Sequence, residues 1–420
     1  KITRDARNAL LQKCKSEVIE MVLENNRSQS RMVSFDVVRS QHDIHRYSRA
    51  LRYLAQRVPF NPDAFSLPSD DELQSRARKG VGLYKCEAAV LCAHAKMLAY
   101  QQLLDAEPLP DWLVDRAARE YFPKAVIDLA GEEAVGAHLL RREIATTMIV
   151  NGIIDNAGGT FMAEVALASA KSPRDIVLAH VRAAEAAHTP TILRELFALE
   201  DKHRQTVIYE AMQRVSWALE ESTFYLLDQM NLPPLDEQAA AQTRALLAHV
   251  DEALPAGSSS RTRQRVARLV EHGIPEELAG RIVRLRYLTP VLDAVRSAPA
   301  MGREPADLLW LRLSVTDAMN FLLLNQALDQ IVLEHPWDGP AVAALRRQLN
   351  FHLHKLVRLV EGDDVQGMIA RFGLQEFCDR VGEQAEAGPT ISGLVMLDDW
   401  LRRLLPPLTV IERTRLEAAQ

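Results

Sequence analysis

Histidines, clustered arginines and a few buried-looking polar residues are what could do chemistry in this sequence. His42 and His45 stand three apart around Asp43. On one helix they would share a face and could touch a single metal ion, but no third ligand is indicated. Two solvated histidines on a polar helix face are the simpler reading. His352 and His354 are two apart, which on a helix turns them in different directions, so they are not read as a site. Cys14, Cys86, Cys92 and Cys378 show neither a metal-pair spacing nor a CxxC motif, and they read as reduced, mostly packed thiols.

Arg261, Arg263 and Arg265 could meet phosphate or an acidic surface, although Glu271 follows and a solvated helix start is the simpler reading. Arg141-Arg142-Glu143 precedes the apolar run Ile144 to Ile154. Those arginines either form ion pairs at a helix end or anchor another domain. Asn151, Asp155 and Asn156 lie within the apolar stretch before Gly158-Gly159. If buried they need partners, which points to an interface or a helix break and not to catalysis.

The established catalytic motifs are missing. The nearest approach to G-x-G-x-x-G is Gly80-Val81-Gly82, which lies between helices and lacks the third glycine. No strand–loop–helix unit holds a dinucleotide pyrophosphate on backbone amides and a helix dipole. There is no phosphate loop, no G-x-S-x-G elbow and no H-E-x-x-H pair. No catalytic, cofactor-binding or metal position is therefore assigned.

The elements that would position any site are helices. Apolar residues recur at three and four nearly throughout, with no sustained period of two. Leu10, Cys14, Val18, Met21 and Val22 form one stripe, and Ile44, Leu51 and Leu54 a second. Ser69-Asp70-Asp71-Glu72 is a capping box that opens a helix, and another runs from about Lys85 to Leu104. A further helix extends from His138 toward Ile154 and is interrupted by Gly158-Gly159. Ser172-Pro173-Arg174-Asp175 and Thr189-Pro190 read as helix starts, the second leading on through Trp217 and Phe224 to Met230. Beyond the linker-like Pro255-Ala256-Gly257-Ser258-Ser259-Ser260, helices are expected at about 261–272, 275–297, 304–334 and 340–361, with shorter ones after Gly373 and Pro389. The residues from about Ile411 are polar and expected to fray.

The fold expected is all-α, with multi-helix bundles in two packed subdomains and no Rossmann sheet. Its segments are 1–66, N-terminal helices; 67–232, a helical subdomain; 233–260, a helix and linker; and 261–420, a C-terminal helical subdomain. Only 18 glycines in 420 residues agree with helix over tight-turned sheet, since average usage is roughly 7%. At 48% hydrophobic the chain can bury a sizeable core, and a net charge of -6 gives no reason to expect nucleic acid as a partner. No signal peptide opens it, and Phe321 to Leu324 is far short of the roughly 20 apolar residues of a membrane span. A cytoplasmic location without membrane contact is expected. The chain opens on Lys1 and runs almost at once into helix, as an internal piece of a longer polypeptide would.

Read in order, several segments resemble the region C-terminal to the dinucleotide-binding domain in the large bacterial NAD-specific glutamate dehydrogenases. They are Arg7-Asn8-Ala9-Leu10-Leu11 with Val22-Leu23-Glu24-Asn25-Asn26, then Leu67 to Leu73, and Gly82 to Leu91 with Ala95-Lys96-Met97. Tyr121-Phe122-Pro123, His138 to Thr147, Asn151 and Gly159-Thr160-Phe161 complete the series, which covers about residues 4–230. The family's usual Gly-Leu-Thr-Arg-Pro-Glu is here Gly82-Leu83-Tyr84-Lys85-Cys86-Glu87, without the proline that presets a first helical turn.

The resemblance implies a parent enzyme that oxidises L-glutamate with NAD to 2-oxoglutarate, ammonia and NADH. Its lysine, carboxylate and Rossmann domain lie upstream of the matched region in that family. The chain is expected to bind no cofactor itself, NAD belonging to the parent, and to serve packing, subunit contact or regulation. Its expected partners are the catalytic domain or other subunits of a homo-oligomeric parent. The alternative is a free-standing helical scaffold or adaptor that binds a protein partner.

Overall fold

The computed structural model describes residues 3–59, 61–229, 232–333 and 335–406. The segment from Ile411 that was expected to fray lies outside these. Among the described residues the structure is helical, without a strand. The chain forms two compact units, residues 1–180 and 181–420.

The first unit holds α1 (Arg4–His42), α2 (Ile44–Ala55), α3 (Asp70–Arg78), α4 (Lys85–Asp105), α5 (Asp111–Tyr121), α6 (Lys124–Ala130), α7 (Glu132–Gly136), α8 (Arg141–Ala157) and α9 (Phe161–Ser169). Thr3 opens α1 by accepting the Ala6 N–H. Asp43 then separates α1 from α2 and caps the second, accepting the Arg46 N–H at 3.0 Å. Ser69 caps α3 as its sequence predicts. α4 begins at Lys85 without the family's proline: the Glu87 carboxylate instead accepts the Tyr84 N–H at 2.7 Å. Gly158, at φ +94, ends α8 in a backbone region that glycine enters without strain. α5 packs on α8, α1 on α4, α6 and α8, and α2 on α3 and α9. Met32, Phe35, Tyr47, Leu91, Ile154 and Phe161 lie at the buried centre.

α10 (Pro173–Ala186) spans the division between the units. Ser172 caps it, accepting the Asp175 N–H at 3.1 Å. The second unit continues with α11 (Thr189–Phe197), α12 (Gln205–Asp228), α13 (Glu237–Ala248), α14 (Ala256–Glu271), α15 (Glu276–Arg284), α16 (Leu288–Met301), α17 (Pro305–Ala318), α18 (Phe321–Asp329), α19 (Asp338–Leu359), α20 (Val365–Arg371), α21 (Gln375–Ala387) and α22 (Ile391–Leu404). α16 packs on α12, α13 and α17, and α19 on α17 and α22.

Several expectations are corrected here. Pro255 to Ser260 is not a linker: Pro255 stands before the first turn of α14, and Ser258 and Thr262 are buried. The 304–334 helix is broken at Asn320, φ +57, into α17 and α18. The helix expected from His138 begins at Arg141, and Thr189 is a buried first residue of α11 and not its cap. The pattern expected to run with few breakers to Met230, which lies outside the described residues, is interrupted between α11 and α12.

Candidate functional site

Two buried carboxylates organise the polar interior, one in each unit. In the first, Asp36 of α1 is completely buried and accepts the Tyr47 hydroxyl at 2.8 Å and the Gly159 N–H at 2.8 Å. Arg39 donates to the Ala157 carbonyl at 2.9 Å, and Arg46 Nε to the Thr160 hydroxyl at 2.7 Å. Arg49 grips Glu164 of α9 with two hydrogen bonds, 3.0 and 2.7 Å. Residues 36–49 thus hold the 157–160 turn between α8 and α9 from one side. Burial pushes the Asp36 carboxyl above its ordinary value, while the Gly159 amide and the charges of Arg39 and Arg46 oppose that push.

Beside this turn Asp155 lies 2.5 Å from Lys96 Nζ. Burial again raises the carboxyl, against the pull of Lys96 and Arg31. Cys92, packed nearby, has its thiol pushed up to about 12 by burial, which makes it a poor nucleophile. Among the expected polar trio only Asp155 is buried; Asn156 donates to Gly152 of its own helix.

In the second unit Asp293 of α16 is 4% exposed and receives four groups. Arg312 Nη1 lies at 2.5 Å, His354 Nδ1 at 2.7 Å, the Tyr225 hydroxyl at 3.1 Å and the Ser297 hydroxyl at 3.5 Å. Burial opposes its charge, yet Arg312 and His354 outweigh burial and hold the carboxyl well below the usual carboxylate range. Arg296 on the same helix donates to the carbonyls of Gln229, Leu232 and Pro233.

The residues singled out in the sequence fall into this architecture unevenly. His42 and His45 sit on different helices, so they do not share a face; Asp43 between them serves as a cap. His352 and His354 do diverge, toward Asp398 at 3.0 Å and Asp293. Arg261 and Arg263 bond Ser258 and Ser259 of their own helix, in keeping with a solvated start. Arg141 pairs with Asp111 and Asp115 of α5, and Arg142 Nη2 donates to the carbonyls of Leu104 at 2.6 Å and Ala106 at 3.1 Å. Arg142 therefore satisfies the open C-terminal end of α4. Arg76 binds Glu87 through two hydrogen bonds, 2.7 and 2.9 Å, and also meets Glu72. Cys14, Cys92 and Cys378 are buried and Cys86 is exposed, none of them in a disulfide.

The Gly158-Gly159-Thr160 turn leads into the α9 N-terminus, where a phosphate could meet backbone amides. It does not fit a dinucleotide pyrophosphate. The Gly159 N–H is already given to a carboxylate, and the space a Cβ of Gly159 would take is held by Leu91 at 2.5 Å and Asp36 at 3.1 Å. Among the described residues, no three His, Cys, Asp or Glu side chains gather as a metal site, and no helix is long and apolar enough to cross a membrane.

What emerges is a set of closed polar contacts that join helices. Asp36, Arg39, Arg46, Tyr47, Asp293 and Arg312 were not singled out in the sequence. The available signal was a lone carboxylate inside an apolar run, as at Val291-Leu292-Asp293-Ala294-Val295.

This sequence is similar to parts of known proteins. It is 26% identical over 381 residues to an NAD-specific glutamate dehydrogenase of Mycobacterium tuberculosis, covering 88% of this chain and 22% of the relative. It is 25% identical over 354 residues to one of Pseudomonas aeruginosa, covering 83% of this chain and 22% of that protein. The match to one of Halomonas elongata is 24% over 366 residues, 86% of this chain and 23% of the relative. The chain therefore spans about a fifth of the length of the curated relatives it matches. Residues 80–386 match the model of the family described as glutamate dehydrogenase, C-terminal, and the chain belongs to that family.

Proposed function

We propose that this chain is the C-terminal helical region of a large NAD-dependent glutamate dehydrogenase. The whole enzyme converts L-glutamate and NAD to 2-oxoglutarate, ammonia and NADH. This region contributes packing, subunit contact or regulation and does no chemistry itself. Its partners are the catalytic part of the same enzyme and the other subunits of a homo-oligomer.

The observation that carries the reading is where the resemblance-bearing charges go. Glu87 is bound by Arg76, Arg142 closes the end of α4, Arg141 is paired across to α5, and the Gly159 amide is taken by Asp36. A reacting group must reach substrate, and these side chains are committed to joining helices within the first unit. The relatives' name supplies the activity, and their far greater length supplies room for the catalytic part.

The test is NADH formation, followed at 340 nm, from L-glutamate and NAD. The purified 420-residue chain is expected to form none, and the product of the complete reading frame to form it steadily. NADH made by the 420-residue chain alone, free of other enzymes, would falsify the reading.

A further inference from the structure

At 39 residues α1 is the longest helix among the described residues, and its first part is little covered. Its buried residues cluster at Arg31, Met32, Phe35, Asp36, Arg39 and Ser40, whereas before residue 31 only Cys14 is buried. Residues 4–30 amount to about 40 Å of helix at 1.5 Å per residue. Solvated helices carry polar residues on their open side. This one instead exposes Leu11 (59%), Val18 (43%), Ile19 (49%), Val22 (53%) and Leu23 (49%). A helix of this length with an uncovered apolar stripe is marginal in water, because helices in proteins draw most of their stability from packing.

Farther along the helix the face that bears Leu11, Val18 and Val22 meets packing that already exists, past the exposed Asn25 and Gln29, which hydrogen-bond to each other at 3.2 Å. Leu11, Val18, Val22, Asp36 and Ser40 share a face at helical spacing. At its C-terminal end this face lies under the 158–160 turn and the entrance to α4. The Asp36 carboxylate takes the Gly159 N–H there, and the Ser40 hydroxyl takes the Leu83 N–H at 2.8 Å. Toward residue 4 no described residue covers this face enough to bury Leu11, Val18 or Val22. α6 lies along a neighbouring side, where Glu17 accepts the Ala125 N–H at 3.1 Å.

The geometry points to one occupant: the apolar stripe of residues 11–23 is the seat of the polypeptide that precedes this region in the same dehydrogenase molecule. This rests on the function proposed above. One observation favours a segment in cis over a second copy. The family model is that of a C-terminal part, and the relatives are more than four times as long as the part matched, so most of their length precedes it. Tethering in cis gives an effective concentration on the order of millimolar, well above that of a free partner.

The experiment uses the polypeptide encoded by the complete reading frame, with Val22 replaced by the photoreactive p-benzoylphenylalanine. After irradiation and digestion, a cross-link from position 22 to a residue preceding Lys1 in the same molecule is expected. Mixing isotopically light and heavy subunits separates this from a cross-link to another copy, which would overturn the inference, as would no cross-link at all. In parallel, V18E/V22E should leave the thermal midpoint of the 420-residue chain unchanged. In the complete polypeptide it should speed tryptic cleavage at Lys13 and Lys15 about tenfold, since cleavage follows the population of the opened face. Equal cleavage with and without the substitutions overturns the inference while leaving the proposed function intact. A reading frame with no dehydrogenase segment upstream overturns both, and the DNA sequence shows that before any cross-link is made.

Discussion

Asp36 and Asp293 are near twins in local setting, yet their carboxyls are shifted in opposite directions. Each is buried in its unit, each accepts a tyrosine hydroxyl, and each lies among arginines. Burial nevertheless lifts the first carboxyl and fails to lift the second. The difference lies in what opposes burial most strongly. For Asp36 it is a backbone amide, that of Gly159, with the arginine charges behind it. For Asp293 it is the Arg312 guanidinium at 2.5 Å, followed by the His354 ring at 2.7 Å. An amide dipole orients a carboxylate without cancelling its desolvation, whereas a cation in direct contact keeps it ionised. The Asp36 contact fixes a turn, and the Asp293 carboxylate ties four helices, α12, α16, α17 and α19.

The largest expected effect follows from that asymmetry. Asp293→Asn leaves the Arg312 guanidinium, 3% exposed, without its carboxylate. Removing one member of a buried pair costs about 3–5 kcal/mol, because the other charge stays buried and uncompensated. Urea unfolding of the 420-residue chain at pH 7 should show a midpoint lowered accordingly, with the near-ultraviolet signal of the second unit lost first. A cost under about 1 kcal/mol would mean that Arg312 finds another acceptor and the comparison with Asp36 fails.

A carboxylate of this kind is hard to see in a sequence, and the reason is separation along the chain. The helices themselves were legible where local chemistry marks them. Ser69 and Ser172 cap the helices that follow them, Gly158 stops α8, and the three-four apolar spacing carries the all-helical class. These signals act within a few residues. Asp36 meets Gly159 across 123 residues, Arg39 meets Ala157 across 118, and His354 meets Asp293 across 61. No spacing rule reaches so far in a single sequence. The Pro255 to Ser260 stretch misled for a related reason: its serines look like linker, but Ser258 is buried and Thr262 shares a hydrogen bond with Tyr287 at 3.0 Å, so tertiary packing decides. Arg141 and Arg142 were legible as residues at a helix end; that one of them closes the end of α4 depends on the α4–α8 contact.

A second substitution probes the turn that Asp36 holds. Gly159→Ala would place a methyl group 2.5 Å from Leu91 Cδ2, 3.1 Å from Asp36 Oδ2 and 3.3 Å from the Cys92 Cα. The leucine tip can rotate, but the backbone of α4 cannot move away freely. Overpacking of this kind costs about 1–3 kcal/mol. Calorimetry should show a lowered midpoint, and D36N combined with Gly159→Ala should cost less than the sum of the two, since both act on one contact. Strict additivity would show that the glycine is needed for a reason unrelated to the carboxylate.

The smallest effect is the most discriminating. Asp36→Asn keeps the shape and an acceptor oxygen for the Gly159 amide, while Arg39 and Arg46 retain the Ala157 carbonyl and the Thr160 hydroxyl. At pH 7 it should cost no more than about 1 kcal/mol, the net worth of an ordinary hydrogen bond. Its pH dependence should run opposite to that of Asp293→Asn. A carboxyl whose folded pKa is raised contributes fully below the unfolded value, about 3.9, and loses that contribution as pH climbs through the folded value. The stability gap between wild type and Asp36→Asn should therefore be widest in acid and shrink as pH rises. For Asp293 the folded pKa is depressed, so its contribution is present above about 3.9 and lost as pH falls toward the folded value. The gap for Asp293→Asn should accordingly be widest near neutrality and narrow in acid. Chemical unfolding of both variants between pH 3.5 and about 7 reads the two slopes directly. Slopes of the same sign would mean that the amide of Gly159 stabilises charge as well as a contacting guanidinium does, and that the two carboxylates differ in partners without differing in state.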